Sequence, residues 1–487
     1  MENATRLTRI ALAATAITLG GLAPYVTISV QGTPARTAAA SSTAAGQGAA
    51  PGVPQGSAFD VAARRAVVDT IVNLLDRHYV DADTGKLIAR VVADQAKSGM
   101  YDVITDPYRF AERLTSDLRA VNGDKHLLVQ YEPDHVAMHP GPEGIRMMPR
   151  AGEQGAHREI PPDVAAAMRS SHFALGRVDV LPGNIGYLEL RGFSGMEEAK
   201  DALVDALRYV QYSDAMIFDL RRNGGGSAEL VNFLISHFTG PDTLASLTVT
   251  NRSGGENFTR YTLASVPGPR RTDIPVYVLT SGYTASAGED FAFVLKNLGR
   301  ATIVGQPTAG AGHNNAFLDA GHGFGISVSF TRVSDPKTGA EWERIGVQPD
   351  VVVDQADALL TAESLAVKKI AATVTGDAER SASLAALGES IGAELHPHVV
   401  PSKALASYAG QYEGGRTVAV SGGKLTYTSR AGAPADTLVA ISDSEFAIGE
   451  RRIGFEKTAK GVQMRVSAPG RGALTYSRVG GRGPNGP

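Results

Sequence analysis

Through most of residues 58–131, apolar positions recur at helical spacing. The face formed by Val61–Leu75 is followed by a second amphipathic face at Leu87–Ala96. Alternation typical of a strand begins only at Leu127–Tyr131. The pattern therefore predicts an N-terminal helical domain, a small bundle that passes into a strand.

Residues 132–184 show no clear period and are rich in proline, glycine, methionine and histidine. We interpret this stretch as a connecting segment, with a hairpin as one form that it could take. It is too short for an inserted domain of the usual size.

Over residues 185–356, short apolar runs of strand length alternate with helical patterns. Such alternation predicts an α/β core with a mixed, largely parallel sheet and helical cover. The predicted strands are Ile185–Arg191, Ala215–Leu220, Ser246–Asn251 with Thr259–Leu263, Val276–Thr280, Ala301–Gly305, Phe324–Arg332 and Val351–Val353. The predicted helices are Glu197–Tyr212, Ser227–Phe238 and Ala287–Asn297.

A helical segment and a linker are expected over residues 357–402, because helical spacing stops before His396-Pro-His398. Residues 403–480 contain short alternating runs separated by turn residues. That pattern predicts a small antiparallel β-barrel or sandwich domain.

Net charge and the absence of cysteine exclude several classes of function but say little about the fold. The net charge of the 487 residues is −3, which gives no electrostatic basis for binding nucleic acid. The chain has no cysteine, and this excludes disulfides, thiol catalysis and cysteine-bound metals.

The N-terminus has the composition of a targeting segment. Arg6 and Arg9 precede a weakly apolar run, Ile10–Ala23, and a tract of small residues follows it. A signal peptide is expected, with an uncleaved membrane anchor as the alternative. Residues 1–57 are thus interpreted as a signal peptide or anchor plus a disordered linker.

Two turns rich in glycine or serine carry the candidate chemistry. The first is Asp219-Leu-Arg-Arg-Asn-Gly-Gly-Gly226, and the second is Thr280-Ser-Gly-Tyr-Thr-Ala-Ser-Ala-Gly-Glu289. Each follows a predicted strand and opens a predicted helix, so each directs unpaired amides and a positive helix end to one point. In the first turn Arg221, Arg222 and Asn223 are interpreted as structural residues, with Asp219 as their expected partner.

Ser286 has two interpretations. With Glu289 it forms the sequence of a capping box, which needs no catalytic explanation. A nucleophile at a helix N-terminus uses the same geometry, with the amide of Ala287 donating to an oxyanion. A second donor would then come from an amide of Gly224–Gly226.

Two histidines could act as the general base. His126 follows a Gly-Asp turn where the helical domain passes into a strand, and His313 lies on a glycine loop after a predicted strand. The local sequence alone does not decide which of the two histidines is the general base. A glutamate such as Glu343 could orient the histidine, although a solvated acidic residue is the simpler interpretation.

Taken together, five motifs resemble the tail-specific (C-terminal-processing) serine peptidase superfamily, in the branch related to interphotoreceptor retinoid-binding protein and tricorn protease. The resemblance extends over roughly residues 60–355. The motifs are Asp124-Lys-His126, the Asp219–Gly226 turn, Thr280–Glu289, Gly299-Arg-Ala-Thr-Ile-Val-Gly305 and Glu343-Arg-Ile-Gly-Val-Gln-Pro-Asp350.

The resemblance implies a crotonase/ClpP-like α/β core behind a helical bundle. It implies Ser286 as nucleophile, His126 as general base and Glu343 as a supporting residue. It also implies that Ala287 and Gly225 supply the oxyanion amides. Gly224 and His313 are further candidates for oxyanion or substrate binding.

This chain departs from the family pattern at three places. Ala311 stands where relatives with a serine–lysine dyad carry lysine, and this favours His126 as the base. Lys125 stands where the tricorn pattern has a serine before the histidine. A PDZ module for gathering substrate tails has no room in residues 132–184.

The sequence therefore predicts an exported serine peptidase, periplasmic or extracellular, that acts on polypeptides through an acyl-enzyme. The substrate is expected to lie as an added strand near residues 309–314. No metal or organic cofactor and no nucleic-acid partner is expected, and no stable membrane span beyond the possible anchor. The alternative is a non-catalytic protein that binds hydrophobic ligands or peptides on the same scaffold.

Overall fold

A computed structural model describes residues 59–133, 145–146, 162–252, 256–459 and 461–479. The predicted signal segment and linker lie outside the described residues, as does most of the first half of the predicted connecting segment.

The helices and strands of the described residues are numbered in chain order. The helices are α1 Val61–His78, α2 Ala82–Lys97, α3 Pro107–Asn122, α4 Pro162–Ser170, α5 Glu198–Tyr209, α6 Ala228–Ser236, α7 Ala287–Asn297, α8 Ala358–Ala371, α9 Ala378–Leu395 and α10 Ser402–Tyr408. The strands are β1 Leu128–Tyr131, β2 Ile145–Arg146, β3 Leu175–Leu181, β4 Ile185–Leu190, β5 Ala215–Asp219, β6 Ala245–Asn251, β7 Phe258–Tyr261, β8 Val276–Thr280, β9 Thr302–Gly305, β10 Asn314–Gly321, β11 Phe324–Ser334 and β12 Val351–Val352. Nine further strands follow: β13 Gly410–Tyr412, β14 Arg416–Ser421, β15 Lys424–Thr428, β16 Asp436–Thr437, β17 Val439–Ala440, β18 Glu445–Ile448, β19 Arg451–Thr458, β20 Gly461–Ala468 and β21 Arg471–Val479.

The chain divides into two compact units. The first contains the described residues up to 146 together with residues 315–329, and the second contains the described residues 162–314 and 330–479.

The first unit is the predicted helical bundle joined to strands. Each of its three helices begins at an aspartate, Asp60, Asp81 or Asp106, whose side chain accepts a hydrogen bond from the amide three residues on. Strand β1 pairs antiparallel with β11, so that Leu128 lies opposite Ser327. The bundle and the strand predicted after it are both present.

In the second unit, six strands form a sheet in the order β12-β9-β8-β5-β4-β3. All neighbours are parallel except β3 and β4. Helices α5, α6 and α7 share a core with one face of the sheet, and α8 and α9 share a core with the other. Because both faces are covered, β5 and β8 are buried at every position, which explains their continuous apolar runs.

Two expectations need correction. The second half of the predicted connecting segment contains helix α4 and strand β3, an edge strand of the parallel sheet. This stretch has no clear strand pattern because most of β3 is only partly buried and carries charges such as Arg177 and Asp179. Phe324–Arg332 does not close the parallel sheet; β11 lies in a second sheet between β10 and β6.

The C-terminal strands form one antiparallel sheet, in the order β16-β15-β14-β13-β21-β20-β19-β18-β17. Its first and last strands are separated along the chain only by Leu438, so the sheet curls into a barrel-like domain. Aromatic side chains, among them Tyr412, Phe446 and Phe455, fill its core. The predicted α/β class and the small antiparallel C-terminal domain are confirmed.

Within the described residues, no helix has the length and apolar character needed to cross a membrane.

His237, directly after α6, makes stability sensitive to acid. The side chain is fully buried, and its Nδ1 lies 2.8 Å from the Pro269 carbonyl. Burial, with the nearby charge of Arg270, lowers its pKa below the ordinary 6.5. Above pH 6.5 the histidine is neutral in both the folded and the unfolded chain, so it does not affect stability. As the pH drops from 6.5 toward the lowered pKa, only the unfolded chain takes up the proton, and the free energy of unfolding therefore falls.

We expect the wild type to lose up to about 1.4 kcal/mol of unfolding free energy per pH unit below 6.5 through this residue. Urea unfolding at pH 7.5, 6.5 and 5.5 measures it, and the His237→Gln variant should show a shallower dependence. Equal slopes for the two proteins would contradict the assignment.

Candidate active site

Ser286 sits at the start of α7 in a strained conformation. Its φ is 52° and its ψ is −119°, a region that residues with a side chain rarely occupy. The pair Ser286 and Glu289 has the arrangement of a capping box, as the sequence predicts. A helix cap, however, normally has extended backbone dihedrals. Capping therefore does not account for the strain.

The glycine turn after β5 lies against this residue. A Cβ on Gly225 would stand 2.9 Å from Ser286 Cβ and 3.3 Å from the Ala287 nitrogen. Gly225 has a φ of 113°, so only glycine fits both the conformation and the space. The sequence-predicted residues Gly225, Ser286 and Ala287 are thus brought together.

Asn223 fixes the shape of the glycine turn. Its Oδ1 accepts from Gly225 N at 2.9 Å, and its Nδ2 donates to the Leu190 carbonyl at 3.0 Å. Its carbonyl accepts from Ala285 N, directly before the serine, at 3.0 Å. The amide of Gly225 is therefore directed toward Asn223 in this structure. The amide of Ala287, in the first turn of a helix, has no intrahelical acceptor.

A buried ion pair joins the same turn to the rest of the sheet. Arg221 Nη2 lies 2.6 Å from Asp219 Oδ2, which also accepts from the Tyr187 hydroxyl at 2.7 Å. Burial alone would raise the pKa of Asp219, but the bonds from Arg221 and Tyr187 outweigh it and lower that pKa. The Ser281 hydroxyl donates to the Arg221 carbonyl at 2.7 Å, which ties the two predicted turns together. The predicted pairing of Arg221 with Asp219 is confirmed.

Glu289 does more than cap the helix. Its Oε2 accepts from Ser286 N at 2.8 Å and Ala311 N at 2.8 Å. Its Oε1 accepts from the Thr308 hydroxyl at 2.6 Å and Gly310 N at 2.6 Å. The side chain is fully buried, and burial raises its pKa although these four hydrogen bonds lower it. Burial is the larger effect, so the net shift of the Glu289 pKa is upward.

His313 and Glu343 meet on the loop that Glu289 holds. Glu343 Oε2 accepts from Gly312 N at 2.6 Å and from His313 N at 3.0 Å, and the His313 Nδ1 lies 3.8 Å from it. Both side chains are about nine-tenths buried. The structure thus brings Glu343 next to His313, the other histidine considered as general base.

His126 belongs to the first unit, where a separate carboxylate holds it. Its amide donates to Asp124 Oδ1 at 2.8 Å, and the Tyr79 hydroxyl donates to Asp124 Oδ2 at 2.9 Å. Asn122 Nδ2 donates to the Tyr79 hydroxyl at 2.5 Å. Asp124 is fully buried and His126 nearly so. This network fixes the backbone that carries the His126 ring.

A second buried pair anchors the first turn of α7. Arg260 on β7 makes two bonds of 2.7 Å with Asp290, and its Nε donates to Ser246 Oγ at 3.0 Å. Sequence reasoning missed this pair, because nothing in the spacing of residues 260 and 290 relates a hairpin to a helix.

Removing Arg260 is expected to leave Asp290 as an uncompensated buried charge. The Arg260→Ala variant should lose about 3–5 kcal/mol of unfolding free energy. Replacing both partners, as Arg260→Met with Asp290→Leu, should recover most of this loss. Urea unfolding of the three proteins checks the prediction, which fails if the double variant is as unstable as the single one.

Within the second unit the geometry has features of the serine-peptidase class of protein: a strained serine at a helix N-terminus, a glycine turn against it, and a buried histidine next to a carboxylate. Comparison with known proteins agrees. Residues 184–353 match the model of peptidase family S41, and residues 61–159 match the N-terminal domain of peptidase S41 in eukaryotic IRBP. Together the two matches cover more than half of the chain. The chain belongs to peptidase family S41.

Two curated relatives show the extent of the similarity. The carboxyl-terminal-processing protease of Synechocystis sp. is 33% identical over 180 residues, which are 36% of this chain and 40% of the relative. The carboxy-terminal processing protease CtpB of Bacillus subtilis is 26% identical over 177 residues, 36% of this chain and 35% of the relative. The matched part of this chain thus spans two fifths or less of each relative's length.

Among solved structures, the photosystem II D1 C-terminal processing protease is similar at 18% identity and a TM-score of 0.37, covering 60% of this chain and 93% of that one. The tricorn protease is similar at 15% identity and a TM-score of 0.36, covering 63% of this chain and 37% of that one.

Proposed function

We propose that this protein is a serine peptidase that hydrolyses peptide bonds through an acyl-enzyme on Ser286. The observation that carries the proposal is the strained conformation of Ser286 beside Gly225, a cost of about 1–3 kcal/mol that a helix cap does not need. Backbone strain of this size persists where the surrounding structure enforces it, as at a nucleophile held above a sheet.

In this mechanism His126 takes the proton of the Ser286 hydroxyl as the oxygen attacks the substrate carbonyl, and returns it to the leaving amine. The amide of Ala287 stabilises the oxyanion, and the second donor is assigned to the Gly224 amide, because the Gly225 amide is bonded to Asn223 Oδ1. A water molecule then attacks the carbonyl carbon of the acyl-enzyme. His126 takes the proton of this water and returns it to the Ser286 oxygen as the acid product leaves. Glu343 supports the site, and His313 lies on the substrate side of it.

We assign His126 rather than His313 as the base on the family pattern of Asp124-Lys-His126. His313 remains the competing candidate, since it already has a carboxylate neighbour in Glu343. No lysine stands at position 311, where Ala311 is buried, so a serine–lysine dyad has no base there.

The substrate is proposed to be a polypeptide that lies as an added strand beside residues 309–314. Export is proposed from the basic and apolar pattern of residues 6–23. A relative from Arabidopsis thaliana is named a chloroplastic carboxyl-terminal-processing peptidase, which is compatible with a targeted protein.

A non-catalytic binding protein is the second candidate, favoured by Ala311 in place of lysine and by the match of residues 61–159 to a domain of IRBP. It predicts that Ser286 serves only to cap α7.

The two candidates are separated by incubating the protein with an unfolded polypeptide and counting new amino termini by mass spectrometry. The peptidase proposal expects new termini with the wild type and none with Ser286→Ala. No new termini from a folded wild type, with undiminished peptide binding by Ser286→Ala, would favour the binding protein.

A further inference from the structure

An open groove of about 620 Å³ lies beyond the carboxyl ends of β8, β9 and β12. In sheets of parallel strands, this edge is where ligands commonly bind. The groove is lined by Gly282, Gln306, Pro307, Val352, Val353 and Asp354.

Hydrogen bonds join the walls of this groove to the turn that carries Ser286. Gln306 N donates to the Thr280 carbonyl at 3.2 Å, and Val353 N donates to the Gly305 carbonyl at 3.0 Å. Ala309 N donates to the carbonyl of Thr284, two residues before the serine, at 2.8 Å. Gly282 lies in the same turn. The groove therefore adjoins the turn Thr280–Glu289 that carries the serine.

The lining combines apolar walls with one carboxylate. Val352 is 74% exposed although it is aliphatic, and Pro307 forms a second apolar surface. Asp354 is exposed, and Asp357 follows in the same turn, where its amide donates to the Asp354 carbonyl at 3.0 Å. Arg221 reaches this turn through the Gln355 carbonyl, but Asp219 matches its charge. Among the described residues, Asp354 is therefore the one charged residue that lines the groove.

We propose that this groove is a specificity subsite for a lysine or arginine side chain of the substrate. The methylene stem of such a residue would lie on Val352 and Pro307, and its cationic head would pair with Asp354. A wholly apolar side chain would leave the carboxylate without a partner, and an acidic one would be repelled. The inference rests on the proposed peptidase function and names a feature of its substrate.

The test uses fluorogenic peptides that differ only by lysine or norleucine, with the substitution moved along the peptide one position at a time. At one position the wild type should prefer lysine by about three- to five-fold in kcat/KM, the effect of one exposed ion pair. Asp354→Asn should bring this ratio to about one, chiefly by lowering kcat/KM for the lysine peptides. Asp357→Asn is the matched control, since Asp357 shares the turn but does not line the groove, and it should retain the preference.

A lysine preference at no position, a preference that survives Asp354→Asn, or an equal loss in Asp357→Asn would overturn the subsite. Binding of the same peptides to Ser286→Ala, followed by fluorescence anisotropy, measures the subsite without turnover. If the wild type cleaves no peptide but Ser286→Ala still prefers lysine through Asp354, the peptidase proposal fails and the cationic subsite stands.

Discussion

Replacing Ser286 with glycine or with alanine is expected to reduce peptide hydrolysis by roughly 10⁴- to 10⁶-fold, because either change removes the nucleophile. The two variants should differ in stability. Alanine keeps a Cβ at a φ of 52°, and glycine relieves that strain. We therefore expect Ser286→Gly to be more stable than Ser286→Ala by about 1 kcal/mol, although glycine is ordinarily the less stable choice at a helix.

Fluorogenic peptide turnover and urea unfolding on the same preparations measure both effects. Ser281 in the same turn is the matched control, because its hydroxyl is already bonded to the Arg221 carbonyl. Ser281→Ala should retain most of the wild-type activity, unlike the Ser286 variants. Full activity in Ser286→Ala would show that Ser286 is not the nucleophile. If Ser286→Gly were less stable than Ser286→Ala, the claim of backbone strain at this position would be wrong.

Replacing His126 with alanine is the second large effect expected. Loss of the general base should lower kcat by roughly 10³- to 10⁶-fold with a smaller change in KM. His313→Ala should affect KM more than kcat, because His313 is proposed to lie beside the substrate. Circular dichroism of each variant controls for folding. The reverse ranking, with His313→Ala the more damaging to kcat, would transfer the role of base to His313 and Glu343.

The sequence predicted the elements that are periodic and buried. Val276–Thr280 and Ala287–Asn297 stand in the structure with the predicted bounds, because both elements are almost wholly buried and so carry dense apolar runs. It did not predict strand β3 or helix α10, since β3 lies at a polar edge and α10 is a single short helix within a β domain.

Within the candidate site, the capping box and the Arg221–Asp219 pair follow from local spacing, and both are present. The wider role of Glu289 could not be predicted, because Thr308, Gly310 and Ala311 come to it only through the fold. The strain at Ser286 could not be predicted either, since a sequence shows which residue stands at a turn but not its dihedral angles.

The most direct measurement is reaction of the folded protein with a fluorophosphonate probe, with the labelled peptide identified by mass spectrometry. An activated nucleophile at Ser286 predicts label on Ser286 in the wild type, none in Ser286→Ala and strongly slowed labelling in His126→Ala. Label that persists at the same rate in Ser286→Ala, or no label on a folded wild type, would contradict the central claim that Ser286 is the nucleophile.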